Sequence, residues 1–473
     1  MSSLLHAELA ATCNALGYYD GIKYHKETHC LETVKDLIRY LRRDDDTHEI
    51  RRYLGEANIV KTDLLPLFKD YSDDKYLFEV LLRLLVNLTN PVLILFGEEL
   101  PDEKVMRNYY LQMIGHLQGY KEAFVDENVW TILGKNLGDI LQIEWQERDE
   151  DSNLTILRIL TLARNVLQVP PDPVAERRPD NDASLHDQIL WSLHVSGLVD
   201  IFLYLACSEN EDQYYMYILE ITSLMLREQN ASKLAVAAAQ RSISEQMRDE
   251  SELVAIRRRE MLARQEKVRK YSRHSRFLGT YSVKNVQSIS DRDLIYHRPL
   301  SEADSLANDE SYYLWAMKFF MEFNRCYKFR VELISETIVV QTFHFVQTQI
   351  ENSFEMMKVD KKKIPIWSRR LHIALRAYQE LLMTLHAMTT SQDQKIRDSA
   401  NVIKSNVFYV VEYRELCLVL MNSYDPVKMS MSCLQDLIRT IHVFMKLMED
   451  HCKGNRTLYP TSLVMMNNLA ADG

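Results

Sequence analysis

From residue 257 to residue 283 the chain reads RRREMLARQEKVRKYSRHSRFLGTYSV. Between Arg257 and Arg276 only Glu260 and Glu266 offset the arginines and lysines. Cations spaced in this way could neutralise phosphates and release their counterions. Tyr271, His274, Phe277 and Tyr281 are interleaved and offer rings for stacking. The candidate contact residues are Arg257, Arg258, Arg259, Arg264, Lys267, Arg269, Lys270, Arg273 and Arg276. Four readings of the strip stay open: a nucleic-acid contact, a partner or intramolecular contact, a nuclear-import signal, and a solvated helix face. A second cluster, Lys361, Lys362, Lys363, Arg369 and Arg370 in DKKKIPIWSRR, reads as a loop and a helix start.

The remaining chemistry-bearing residues fit catalysis poorly. His25 and His29 in HKETH stand four apart, with Cys30 adjacent and Cys13 upstream, a set that could hold zinc. The spacing matches no standard zinc module, and His29 runs straight into the buried face of a helix. His186 and His194 in HDQILWSLH read as interior polar packing, and His442 and His451 have no nucleophile or carboxylate arranged around them. There is no phosphate loop, dinucleotide fingerprint or GxSxG elbow. The expectation is a non-enzymatic protein with no cofactor and no metal.

Composition narrows the frame that positions these residues. The 473 residues include 57 Lys and Arg against 67 Asp and Glu, a net charge of −10, which disfavours nucleic-acid binding over the whole surface. Only 12 Gly and 11 Pro occur, too few for a fold built on many tight turns. Leu, Ile, Met, Arg, Glu and Gln fill the periodic stretches, so helix is expected. Seven scattered cysteines without a CxxC pair read as a reducing compartment, cytosol or nucleus. MSSLLHAELAATC lacks the basic region of a secretory signal. No apolar run reaches the ~20 residues of a membrane helix, so no membrane partner is expected.

Helical periodicity runs through most of the chain. CLETVKDLIRYLRR puts Leu31, Val34, Leu37, Ile38 and Leu41 on one face. YLFEVLLRLLVNLTNP and NLTILRILTLARNVLQVP are apolar most of the way round, as helices enclosed by other helices must be. They also resemble each other: Arg83, Asn87 and Pro91 in the first answer to Arg158, Asn165 and Pro170 in the second. YILEITSLMLREQN, with Arg227 and Asn230, is a weaker third copy. The separation is about two armadillo- or HEAT-type repeats of ~40 to 47 residues. The expected fold is all-α, an armadillo/HEAT-like right-handed helical solenoid with a projecting basic helical arm. The expected division is residues 1–240 as N-terminal repeats, 241–311 as basic arm and loop excursion, 312–458 as C-terminal repeats and 459–473 as tail. From Ala231 to Gln265 the pattern becomes a long, polar, Ala- and Gln-rich helix that projects or lies on a partner, and RFLGTYSVKNVQSIS then reads as a hairpin or extended excursion.

An ordered series of segments carries a family resemblance. ATCNALGYYDG (11–21), CLETVKDLIRYLRRDD (30–45), LVNLTNP (85–91), ARNVLQVP (163–170), NDASLHDQILWSLHVSGL (181–198), RHSRFLGTYSV (273–283), DRDLIYH (291–297), YYLWAMKFFMEFNR (312–325) and RRLHIALRAYQELL (369–382) resemble the N-terminal region of the Timeless family. RHSRFLGTYSV and DRDLIYH are more similar to its replication-associated (Timeout) branch than to the insect clock branch. The resemblance implies a nuclear, non-enzymatic scaffold of the fork protection complex. It implies Tipin, the replicative helicase, other replisome proteins and duplex DNA as partners, and roles in S-phase checkpoint signalling, the DNA damage response and cohesion. The clock branch implies the alternative, a circadian regulator acting through cryptochrome or Period-like proteins. Family members run longer, so this chain is expected to be an N-terminal portion. Relatives also carry a long low-complexity insertion before the YYLWA-type helix. Here RPLSEADSLANDES (298–311) joins directly, a loop short by nature or shortened.

Overall fold

The computed structural model describes residues 2–21, 23–97, 100–172, 183–240, 281–283, 294–296, 310–361 and 363–454, with six single residues between 247 and 262. The regular elements among the described residues are almost all helices, as the composition predicts. Packing divides the chain into two units, Met1–Glu228 and Gln229–Gly473.

In the first unit, α1 (Ser2–Asn14) leads into a hairpin of β1 (Gly17–Tyr19) and β2 (Tyr24–Lys26). Gly17 is required there, because a Cβ would lie 2.2 Å from the His25 carbonyl oxygen. Then follow α2 (Cys30–Arg42), α3 (Glu49–Glu56), and a π-helical turn (Val60–Leu64) running into α4 (Leu65–Asp70). After these come α5 (Lys75–Leu88), α6 (Val92–Leu95), α7 (Lys104–Ala123), α8 (Glu127–Leu141), α9 (Glu150–Gln168), α10 (Leu185–Val195) and α11 (Leu198–Cys207). A 3-10 turn (Glu209–Tyr214) and α12 (Tyr215–Met225) complete the unit. Many of its helices start where a side chain accepts from the first free amides: Asp74 for α5, Asp126 for α8, Asp149 for α9 and Ser184 for α10.

The helices pack in rows. α2 lies on α5, α5 on α9, and α9 on α12. α3 lies on α7 and α7 on α10, while α4 lies on α8 and α8 on α11. The chain therefore visits three rows in the same order three times. In the first row, α5 and α9 are the helices predicted to be enclosed. Leu77, Phe78, Leu81, Leu82, Leu84, Leu85 and Leu88 of α5 are buried, and nine residues of α9 are buried. On α2 the predicted face is observed, with Val34, Leu37, Ile38 and Leu41 buried and Leu31 half-buried.

The second unit opens with α13 (Ala231–Ala239) and contains the paired strands β3 (Tyr281–Val283) and β4 (Leu294–Tyr296). It continues with α14 (Glu310–Cys326), α15 (Val340–Val359), α16 (Ile364–Thr389), α17 (Gln394–Tyr409), α18 (Val411–Asn422) and α19 (Met431–Gly454). α16 is the axis of this unit and packs against α14, α15, α17 and α19. It begins at Ile364 after the lysine-rich loop, as the sequence predicts, and buries Leu371, Leu375, Tyr378, Leu381, Leu382 and Leu385. The Arg325 guanidinium donates to both carboxylate oxygens of Glu380, at 2.7 and 3.1 Å, beneath α14.

One expectation needs correction. The segment from Ala231 reads in sequence as polar all round, kept out of the core so that it projects or lies on a partner. Its first turns instead pack on α14, with Ala231 and Ala235 buried. Small residues four apart make a narrow apolar stripe, and that stripe allows a close helix approach.

Candidate interaction surface

The side chains at the ends of the first-row helices are organised by the carbonyls that each helix leaves unpaired. At the end of α5, the Arg51 guanidinium from α3 donates to the Asn87 carbonyl oxygen. The Asn165 amide from α9 lies 3.4 Å from the Val86 carbonyl, the Thr89 hydroxyl and the Asn90 side-chain oxygen. At the end of α9, Lys121 donates to the Val169 carbonyl at 3.1 Å. Arg227 donates to Gln168 at 3.3 Å and to Val169 at 3.1 Å. Cationic donors at a C-terminus meet both the free carbonyls and the negative end of the helix dipole.

The repeated Arg and Asn of the sequence thus separate into different tasks. Asn165 ties its helix to the previous one. Arg227, taken as the third copy of Arg83 and Arg158, caps α9 instead. Arg83 and Arg158 have neither task. Each sits in mid-helix, Arg83 exposed and Arg158 half-exposed, with no ion pair or side-chain hydrogen bond among the described residues. Arg42, the exposed last residue of α2, is likewise unpaired there. Partial desolvation first, then the charges of Arg42 and Arg158, push the Arg83 pKa down, so Arg83 lies within electrostatic reach of both. In the sequence these arginines read as repeat markers and not as a surface. The available signal was a charged residue recurring at the centre of otherwise apolar helices.

Of the predicted arm residues, Arg258 has helical backbone and an exposed side chain. Arg257, Arg259, Arg264, Lys267, Arg269, Lys270, Arg273 and Arg276 lie outside the described residues. The extended excursion after them appears as β3 paired antiparallel with β4, Tyr281 opposite Tyr296.

The histidine and cysteine candidates are held by ordinary packing. The His25 Nε2 lies 2.6 Å from the Asp20 carboxylate, and its ring stacks on Tyr18. Burial pushes the Cys13 and Cys30 thiols up to about 11, away from the thiolate a metal needs. Tyr24 lies near both thiols. It is buried, its amide donates to Asp70 and its hydroxyl to Asp63, both at 2.8 Å. His186 is interior, within 3.5 Å of the Lys121 Nζ and 3.4 Å of the Met225 carbonyl. Burial, then Lys121 and Arg227, lower its pKa. His194 is exposed beside Trp191.

Comparison with known proteins adds an independent line. The family described as Timeless protein matches residues 23–283. The human protein timeless homolog is 42% identical over 520 aligned positions, covering 96% of this chain and 43% of the relative. Drosophila melanogaster protein timeless is 26% identical over 48% of this chain and 17% of its own length. Topoisomerase 1-associated factor 1 of Aspergillus oryzae is 20% identical over 95% of this chain and 46% of its own. The chain spans less than half the length of these relatives. The human alignment is longer than the 473 residues present here, so that relative carries insertions this chain lacks.

Proposed function

The chain belongs to the Timeless family, and on that premise we propose that it is the N-terminal part of a nuclear, non-enzymatic scaffold of the replication fork. One observation carries this reading: similarity to the human timeless homolog extends over 96% of the chain. The name of the fungal relative, a topoisomerase 1-associated factor, supports a role on DNA. The helix rows of the first unit, visited in one order three times, support an armadillo-like solenoid, whose right hand is part of the proposal. In this reading the repeats of 1–240 and 312–458 are surfaces for Tipin, the replicative helicase and other replisome proteins. The basic arm of 241–311 is a sequence-independent contact to duplex DNA. Its charge is local, so the acidic body does not coat DNA indiscriminately. Fork stability, checkpoint signalling and cohesion follow from holding these partners together.

The experiment is binding of fluorescent duplex DNA, with and without Tipin, at about 50 and 200 mM salt. Wild-type binding should collapse with salt. Alanine at Arg257, Arg258, Arg259, Arg264, Lys267, Arg269, Lys270, Arg273 and Arg276 should weaken it for all sequences, flatten the salt slope and leave helical content intact. An unchanged slope returns the strip to a partner contact or a brace on the body. The partial similarity to Drosophila protein timeless supports a second reading, a clock regulator working through cryptochrome or Period-like partners. That reading predicts no duplex affinity in either condition.

A further inference from the structure

Arg42, Arg83 and Arg158 stand on α2, α5 and α9, three helices packed consecutively in one row. The Asn165 contacts with Val86, Thr89 and Asn90 fix the register of α9 against α5. Stepping back two turns from Asn165 reaches Arg158. Stepping back one to two turns from that end of α5 reaches Arg83. The two helices therefore run in the same direction with their arginines level, and the electrostatic effect of Arg42 and Arg158 on Arg83 agrees. Holding like charges together costs energy. Within the described residues no carboxylate pairs with any of the three, whereas on the same helices Lys35 pairs with Glu32 and Arg39 with Asp36. Further along the row Arg164 faces Glu220 across 3.7 Å. The three unpaired cations are a deficit of negative charge at one place.

We propose that Arg42, Arg83 and Arg158 form a docking strip for an acidic peptide segment of a partner protein, with carboxylates or phosphates at every third residue. The spacing sets the periodicity. Packed helices lie about 8–10 Å apart. A polyproline II segment rises about 3.1 Å per residue with three residues per turn, so residues i, i+3 and i+6 share a face at about 9 Å intervals. One acid then meets each arginine, whose planar fork suits carboxylate and phosphate alike. Duplex DNA fits less well. It presents a charge about every 1.7 Å of axis, and the same three helices also carry Glu32, Asp36, Glu79, Glu150 and Asp151. A peptide with spaced acids meets the arginines without meeting those carboxylates. The inference is independent of the basic arm and of the replication reading.

The test uses the full chain and a fluorescein-labelled peptide of about twelve residues, with Asp at every third position and Pro, Ser or Gly between. Fluorescence anisotropy at about 50 mM salt should show binding to wild type and a loss of about tenfold or more in R42A/R83A/R158A. The side chains removed are exposed or half-exposed, and circular dichroism checks the fold. K35A/R39A, which removes two paired cations, should bind within about twofold of wild type. A peptide with the same Asp residues in one block should bind several-fold more weakly. R42E/R83E/R158E should instead take up a matching peptide with Lys in place of Asp, which keeps the test informative if the alanine variant folds poorly. No wild-type binding, equal binding by the triple variant, or equal binding of spaced and blocked peptides overturns the proposal. A duplex of about twenty base pairs that loses more affinity than the peptide in the triple variant also overturns it, in favour of nucleic acid.

Discussion

Arg148 and Glu211 form an ion pair at 2.8 Å with both side chains only 2% exposed. The Arg148 Nε also donates to the Ile143 carbonyl at 3.0 Å, so one guanidinium joins the loop after α8 to the turn before α12. Beside it the Tyr214 hydroxyl donates to Asn153 at 3.2 Å, and burial, with Glu211 secondary, pushes its pKa up to about 12. A buried pair of this kind adds modest net stability, yet breaking it strands a charge. Glu211→Ala should cost about 3–5 kcal/mol, read as a lower urea midpoint of the transition to which the first unit contributes. The double variant Arg148→Met with Glu211→Leu should recover much of that loss, because neither side chain is then a stranded ion. A double variant as unstable as the single one would show that packing, not the stranded charge, sets the cost.

At the scale of the element, α9 shows how each end of an enclosed helix is settled separately. Its first turn is capped locally, by the Asp149 carboxylate accepting from the Ser152 amide at 3.0 Å. Its last turn is capped from a distance, by Lys121 and Arg227 on other helices. Asp149→Ala should fray only the first turn. Arg227→Ala should speed amide exchange at the end of α9 and loosen its contact with the α12 region as well. Hydrogen exchange distinguishes the two. Equal, purely local effects from both variants would contradict the tertiary cap. The Asp149 cap is local to the residues it serves, whereas 58 residues separate donor and acceptor of the Arg227 cap, so no local sequence pattern carries it.

At the scale of the whole molecule, histidines buried in their neutral form link both units to pH. Burial is the leading cause that lowers His116 and His186 in the first unit and His386 and His451 in the second. The unfolded chain takes up these protons near the ordinary imidazole value of about 6.5, and the folded chain takes them up only at lower pH. Below that value the unfolded state binds more protons, so stability is present above it and falls as pH falls towards the folded-state values. Urea midpoints should therefore drop between about pH 7.5 and 5.5. His186→Gln should flatten part of that drop for the first unit, and an unchanged profile would remove His186 from the account.

What the sequence alone determined was local and periodic. Helical spacing marked α2, α5 and α9, and an apolar circumference marked α5 and α9 as enclosed. The ordered motifs marked the family, which the profile match over residues 23–283 bears out. Tertiary structure decided which repeated residue does what. Arg83, Arg158 and Arg227 look alike in sequence, since each follows an apolar run. Only packing shows that Arg227 turns onto the carbonyls of α9 while Arg83 and Arg158 stay unpaired among the described residues. Periodicity specifies which face of a helix is buried, because burial is settled within a few turns. It carries no information on which helix lies beside that face, and the partner of a charged side chain depends on that neighbour.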